Sequence, residues 1–298
     1  MSNATQRNYI LGDEWIYYKI YTGQSTSDTI LTDIILPISQ SLLKEKIIDK
    51  WFFIRYSDPE NHLRVRFHLQ NSNDFHIVIL KFKTALKQYI KANLIWNIQL
   101  DTYKQEIERY NGKKMLELSE DLFFHDSKMI AKFISLIEGE EGEELRWLFA
   151  IKAIDKFLDS FYFSITEKLD LLNRLKTGYA NEFDMSRPLK KQLDQKYRHN
   201  REKIELFLGN DFSTNSNYTE IQKLLNEKEK KSLETIKKII ATNKKTKNDI
   251  NNFLMSHIHM TMNRFFKSKG RVHELVIYDF LYRHYLSLYH KKLKVISE

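Results

Sequence analysis

In His62-Leu63-Arg64-Val65-Arg66-Phe67-His68, basic and apolar residues alternate without a break. Successive side chains of a strand point to opposite faces, so Leu63, Val65 and Phe67 face one way and the four basic residues the other. Arg64 and Arg66 then stand about 6–7 Å apart on one face. A guanidinium clamps a carboxylate or phosphate through paired hydrogen bonds, so two in register make an anion site. A solvated face of an antiparallel sheet also alternates. Such faces usually mix signs and include Thr or Ser, whereas this one is wholly cationic.

Working outward, Trp51 to Tyr56 is a second strand-like run. It is separated from Leu63 to Leu69 by Ser57-Asp58-Pro59-Glu60-Asn61, a turn-rich connection, and the two runs predict a hairpin. Trp15 to Tyr21, rich in aromatic and β-branched residues and stopped by Thr22-Gly23, predicts a third strand, followed by a helix over about 29–46. Apolar spacing predicts a helix from Phe75 to Ile90 and a further strand from Leu94 to Leu100. Beyond Tyr103 the pattern predicts helices over about 104–121, 125–138, 143–162, 166–180, 187–208, 217–243, 246–267 and 271–290, with Glu138 to Glu144 as a surface connection. The expected class is α+β: a small antiparallel sheet near the N-terminus and a large, mostly helical remainder. No repeat or composition break divides the chain, so a single domain over 1–298 is expected, sheet-rich over about 10–102 and helical over about 103–298.

Composition narrows the chemistry. The 298 residues contain no cysteine, which excludes disulfides, thiolate catalysis and Cys-based zinc sites. Only 8 Gly and 3 Pro leave little material for linkers and favour long helices. No stretch approaches the roughly 20 apolar residues needed to cross a bilayer, and no signal-like segment opens the chain, so a cytoplasmic protein is expected. Ser2-Asn3-Ala4 contributes nothing to a fold and is left aside as extraneous. The net charge is +9, with nine Lys against three Glu between Lys223 and Lys247. Such a run could meet nucleic acid. Its alternation with Leu224, Leu225, Leu233, Ile236 and Ile240 favours a solvated helix face instead.

Two further clusters could carry chemistry. Glu106 and Arg109 lie three apart and share a face if helical. In His257-Ile258-His259-Met260-Thr261-Met262-Asn263-Arg264, the two histidines sit roughly 200° apart on a helix and cannot chelate one metal together. His259 and Asn263 share a face, offering a titratable imidazole beside a group able to orient it. There is no G-x-x-x-x-G-K-[ST], G-x-G-x-x-G, H-E-x-x-H or G-x-S-x-G. Neither a cofactor nor a metal is expected.

Taken in order, Trp15 to Tyr21, Phe53-Ile54-Arg55-Tyr56-Ser57-Asp58-Pro59, Leu63-Arg64-Val65-Arg66-Phe67, Tyr103 to Tyr110, Phe124-His125-Asp126-Ser127 and Ile258 to Arg264 form a series. It resembles the C-terminal elimination domain of lantibiotic dehydratases, also called thiopeptide-type bacteriocin biosynthesis proteins, over nearly the whole chain. In that family a partner domain esterifies Ser or Thr of a precursor peptide with glutamate from glutamyl-tRNA. The elimination domain expels the glutamate to leave dehydroalanine or dehydrobutyrine. The resemblance implies that Arg64, Arg66, Glu106, Arg109 and His259 line the elimination site. Asn111 stands where the family usually has Gly, and Thr261 where a second His often follows the Met; neither position has been given a catalytic role.

The partners so implied are the precursor peptide and a separate glutamylating protein, since no glutamylation domain precedes these motifs. Direct tRNA binding is not expected. Family members often dimerise, which admits a homodimer. Two other functions compete: a thiopeptide-type [4+2] pyridine synthase on the same fold, and a non-catalytic module that binds a precursor peptide along a sheet edge. Retention of both strand arginines with Glu106, Arg109 and His259 favours elimination, because a cycloaddition has no glutamate to expel.

Overall fold

The computed structural model describes residues 6–209, 212, 218–246 and 250–297. Ser2-Asn3-Ala4 and Lys247 lie outside the described residues. The chain forms two compact units, 1–136 with 237–248, and 137–236 with 249–298.

The first unit is built on antiparallel strands. β1 (Asn8–Tyr9) pairs with a short strand after the main sheet. β2 (Trp15–Thr22), β3 (Ile48–Tyr56), β4 (His62–Leu69) and β5 (Ile95–Asp101) form a four-stranded sheet in the order β3-β4-β2-β5. The predicted hairpin is β3-β4. Register places Tyr17, Lys19 and Tyr21 of β2 opposite Arg66, Arg64 and His62, while Phe52, Ile54 and Tyr56 of β3 stand opposite the same three from the other side. The alternation of β4 is realised: Leu63, Val65 and Phe67 are each 0% exposed, and their face carries the core. Phe82, on the helix Phe75–Lys91, lies 4.9 Å from the Tyr18 ring and 5.3 Å from the Phe67 ring. Burying side chains of this size stabilises by about 1.5–3 kcal/mol each.

Between β2 and β3 the chain is helical from α1 (Gln24–Ile30) through a π-helical stretch (Leu31–Ile35) into α2 (Leu36–Lys44). The helical region thus starts five residues before the predicted 29. Polar Ser27 and Asp28 read as a break, but the Arg55 guanidinium donates to Ser27 Oγ (2.7 Å) and Asp28 Oδ1 (2.6 Å) and holds them in the helix. The widened turn precedes Pro37, which has no N–H to give and crowds the preceding turn.

After α3 (Phe75–Lys91) and β5, β6 (Tyr103–Lys104) pairs with β1, and α4 (Lys113–Ile134) follows. This corrects two expectations. The predicted helix over 104–121 does not begin until Lys113, because Asn111 (φ 60°) and Gly112 (φ 108°) turn left-handed and interrupt it. No break separates it from the predicted 125–138 helix. Leu122 and Phe123, in the expected break, are buried within α4, and the polar pair before them is engaged: Glu120 accepts from Tyr103 and Gln105, and Asp121 from Lys50. Ser127 of α4 accepts the Phe53 N–H (3.2 Å), closing part of the outer edge of β3.

The second unit is helical: α5 (Gly139–Ser160), α6 (Ile165–Glu182), α7 (Arg187–Leu208), part of α8 (Thr219–Thr246), α9 (Ile250–Phe265) and α10 (Gly270–Ser297). The expected connection Glu138 to Glu144 is mostly helix, with Glu140 and Glu141 in the first turn of α5 where the macrodipole favours them. Ser164 and Glu167 form a reciprocal capping box at the start of α6. On α8, Lys223, Lys230, Lys231, Lys237 and Lys238 are exposed, as a solvated face requires. The buried stripe includes Ile221, Leu225, Ile236 and Ile239, while Leu233 is exposed. Among the described residues, no helix is long and apolar enough to cross a membrane.

Candidate functional site

Arg64 and Arg66 emerge from the cationic face of β4, and neither forms an ion pair with a described carboxylate. Arg64 Nε donates to His62 Nε2 (3.0 Å), and its guanidinium lies 3.5 Å from the Tyr56 ring centroid. Arg66 sits among Tyr17 (4.3 Å), Tyr103 (4.8 Å) and Phe52 (5.4 Å), and its buried Nε has no hydrogen-bond partner. Both cations are therefore held by neutral groups. Lys19, on the neighbouring strand, pairs with Asp101 and holds that carboxyl below its ordinary value. His68, at the end of the face, hydrogen-bonds Asp49 (2.8 Å) and meets Trp15 edge-on.

Glu106 and Arg109 pair at 3.1 Å, as their spacing predicts, but in a turn rather than a helix. The turn is tied to the sheet by aromatics. Tyr110 contacts Phe123 (5.4 Å), Phe123 contacts Phe52 (5.5 Å), and Phe52 lies under Arg66. Tyr103, three residues before Glu106, is itself part of the Arg66 cage. Arg66 thus belongs to an aromatic framework that reaches Tyr110, on which Arg109 lies, while Arg64 rests on Tyr56 and His62.

Beside this framework is a cavity of about 870 Å3 whose lining includes Tyr9, Trp15, Lys50, His68, Gln105 and Glu120. Glu120 is 2% exposed and accepts from the Tyr103 hydroxyl and Gln105 Nε2, each at 2.8 Å. Burial raises its pKa, opposed by those two hydrogen bonds. Burial and the nearby Glu14 push the Tyr9 phenol up to about 12.

His259 lies on α9 in the second unit. Its Nδ1 is 2.7 Å from Glu274 Oε1 on α10, and its side chain is 32% exposed. Glu274, buried to 3%, also accepts from the Tyr278 hydroxyl (3.0 Å) and pairs with Arg271 (3.5 Å). Arg271 in turn pairs with Glu182 and donates to Tyr179, and its hydrogen bond holds the Glu182 carboxyl below its ordinary value. A carboxylate only accepts, so the hydrogen between them sits on His259 Nδ1, and Nε2 is the ring nitrogen turned away from Glu274.

Arg64, Arg66, Glu106 and Arg109 all lie in the first unit, and His259 forms a histidine-carboxylate pair with Glu274 in the second. The sequence missed Glu274, fifteen residues along on another helix, and singled out Asn263 as the orienting group. It placed His62 on the strand face of Arg64 but outside the implied site, and gave no sign of the hydrogen bond between them. Among the described residues, no cluster of three or more His, Asp or Glu could hold a metal ion.

A family model described as lantibiotic biosynthesis dehydratase C-term matches residues 15–286. Subtilin biosynthesis protein SpaB of Bacillus subtilis is 25% identical over 179 residues, 59% of this chain and 17% of SpaB. Nisin biosynthesis protein NisB of Lactococcus lactis subsp. lactis is 30% identical over 141 residues, 47% of this chain and 14% of NisB. The match therefore spans less than a fifth of these relatives. The crystal structure of the tRNA dependent lantibiotic dehydratase MibB from Microbispora sp. 107891 shares the fold with a TM-score of 0.71 at 19% identity, covering 98% of this chain and 29% of MibB. The pyridine synthase TbtD from thiomuracin biosynthesis shares it with a TM-score of 0.63 at 11% identity, covering 92% and 97%.

Proposed function

The chain belongs to the lantibiotic biosynthesis dehydratase C-terminal family, and we propose that it is a lyase that eliminates glutamate from glutamylated Ser or Thr of a precursor peptide. The observation that carries this reading is the pair Arg64 and Arg66, two cations held by neutral partners and left without a carboxylate of their own. The departing group is a glutamate, which carries a free carboxylate throughout and gains a second when its ester bond to the peptide breaks. Two guanidiniums on one face match that demand.

In the reaction, a base takes the proton from the α-carbon, the electrons of that bond form the Cα=Cβ double bond, and the bond from Cβ to the ester oxygen breaks. Glutamate leaves with the electron pair, and the peptide keeps dehydroalanine or dehydrobutyrine. Arg64 and Arg66 hold the leaving group and offset its charge. Arg109, oriented by Glu106, adds a third cation. His259 is the candidate acid/base in this reading, with Glu274 holding its Nδ1 and orienting the ring. The partners in this reading are the precursor peptide and a glutamylating activity, and the setting is the cytoplasm, where such peptides are made.

The test is to incubate the purified protein with a synthetic peptide bearing a glutamylated Ser or Thr and follow its mass. Loss of glutamate with formation of the dehydro residue is expected. An ester that persists with folded protein would sink the reading. The pyridine-synthase alternative shares the fold but releases no glutamate, so the same two arginines favour elimination.

A further inference from the structure

His62 stands outside the residues that the family resemblance implies, yet among the described residues it is the one side chain to which Arg64 is hydrogen-bonded. Its two ring nitrogens have partners of opposite kind. Nδ1 lies 2.7 Å from the Glu60 carbonyl oxygen, which can only accept, so Nδ1 carries the hydrogen. Nε2 lies 3.0 Å from Arg64 Nε, which can only donate, so Nε2 presents its lone pair. The two neighbours together specify one neutral tautomer. The ring is 3% exposed, stacked on Tyr21 (4.6 Å) and tilted against Tyr56 (5.5 Å). Because Tyr56 also carries the Arg64 guanidinium on its face, ring, imidazole and guanidinium form one packed set. With Nε and the flat face of Arg64 so occupied, its terminal nitrogens are the donors left to meet a ligand.

We propose that His62 is a positioning residue: held neutral, it accepts from Arg64 Nε and aims the Arg64 guanidinium at the carboxylate of a glutamate ligand. The inference rests on the reading above, in which Arg64 binds the departing glutamate. An imidazolium at this place could not accept from Arg64 and would set a second cation against it. The groups facing the ring are Lys19 and Tyr21 from β2, Tyr56 from β3, Arg64 on β4, and Asp58 with the Glu60 carbonyl from the hairpin loop. Burial, then Arg64 and Lys19, lower the His62 pKa, while the Glu60 carbonyl and Asp58 oppose them. The ring is therefore neutral at pH 7, and Arg64 loses its anchor as pH falls through that lowered value. Arg66, caged by Tyr17, Tyr103 and Phe52, is held by nothing that titrates in this range and serves as an internal control.

The experiment measures free glutamate binding by calorimetry from about pH 7.5 to 5, where both its carboxylates stay largely ionised. All proteins carry His259→Ala, so that the other imidazole does not titrate. The parent should lose affinity in acid. His62→Gln, which can place an amide oxygen near the Nε2 position but cannot be protonated there, should bind near parent strength at pH 7.5 and lose the acid limb. His62→Phe, which keeps the stack without an acceptor, should bind about tenfold more weakly at every pH. An acid limb in His62→Gln equal to the parent's overturns the proposal, whether or not His62→Phe folds. Arg64→Ala separates the two levels: unchanged glutamate affinity there defeats the reading of Arg64 itself. A loss in Arg64→Ala with none in a folded His62→Phe defeats only the role of His62.

Discussion

Arg64 and Arg66 present the same charge on the same face but are restrained by different chemistry, one by a hydrogen bond to an imidazole and a tyrosine face, the other by an aromatic cage. Replacing either by Ala should lower kcat/KM for a glutamylated peptide by about 10²–10³-fold, read by mass spectrometry of residual ester. Arg66→Lys should not rescue, because a point-charge ammonium lacks the flat surface that Tyr17 and Tyr103 grip and the fork that meets a carboxylate. Near-parent turnover in Arg66→Lys would show that the cage only fills space. In the histidine-carboxylate dyad, Glu274→Gln should reduce kcat by about 10–100-fold with KM little changed, since the imidazole loses its counter-charge while substrate contacts persist. A rise in KM at constant kcat would instead make Glu274 a binding group.

Among the elements, α4 meets the β3 edge through the hydroxyl of Ser127, whose Oγ accepts the Phe53 N–H, and Ser127 is 0% exposed. Ser127→Ala leaves a buried N–H without that acceptor and should cost about 1–3 kcal/mol, measured as a shift in the urea midpoint at constant slope. An unchanged midpoint would mean that water or another group takes the bond. β4 was legible in the sequence because period-two alternation survives where one face is buried, and β2 because aromatic and β-branched residues crowd it. The start of α4 was not, because the left-handed pair Asn111-Gly112 leaves almost no mark on apolar spacing. Nor was the continuity of α4 through 122–124, where Leu122 and Phe123 are buried and the polar Glu120 and Asp121 beside them find partners inside.

Over the whole molecule, the second unit carries its own buried ionic knot. Lys168 pairs with Asp155 (2.7 Å) and Asp159 (2.6 Å) and donates to the Tyr285 hydroxyl (2.7 Å), all but Asp159 being buried. Lys168→Met removes one partner and leaves Asp155 an underpaired buried charge, so it should cost about 3–5 kcal/mol, visible as faster amide exchange in α5, α6 and α10. Exchange at the parent rate would show that Lys152, 3.7 Å from Asp155, suffices as counter-ion. The candidate site was legible in proportion to how local its signals are. Arg64 and Arg66 follow from one strand, and Glu106 with Arg109 from three-residue spacing, whereas Glu274 is reached only across two packed helices. The cationic face also constrains folding. A one-residue slip of β4 against its neighbours would turn Arg64 and Arg66 inward onto Phe82 and push Phe67 into solvent, at a cost of several kcal/mol for each buried charge. The groups assigned to hold the substrate thereby act as a proofreading device for strand register, so neutralising both arginines should permit misaligned sheets as well as abolish turnover.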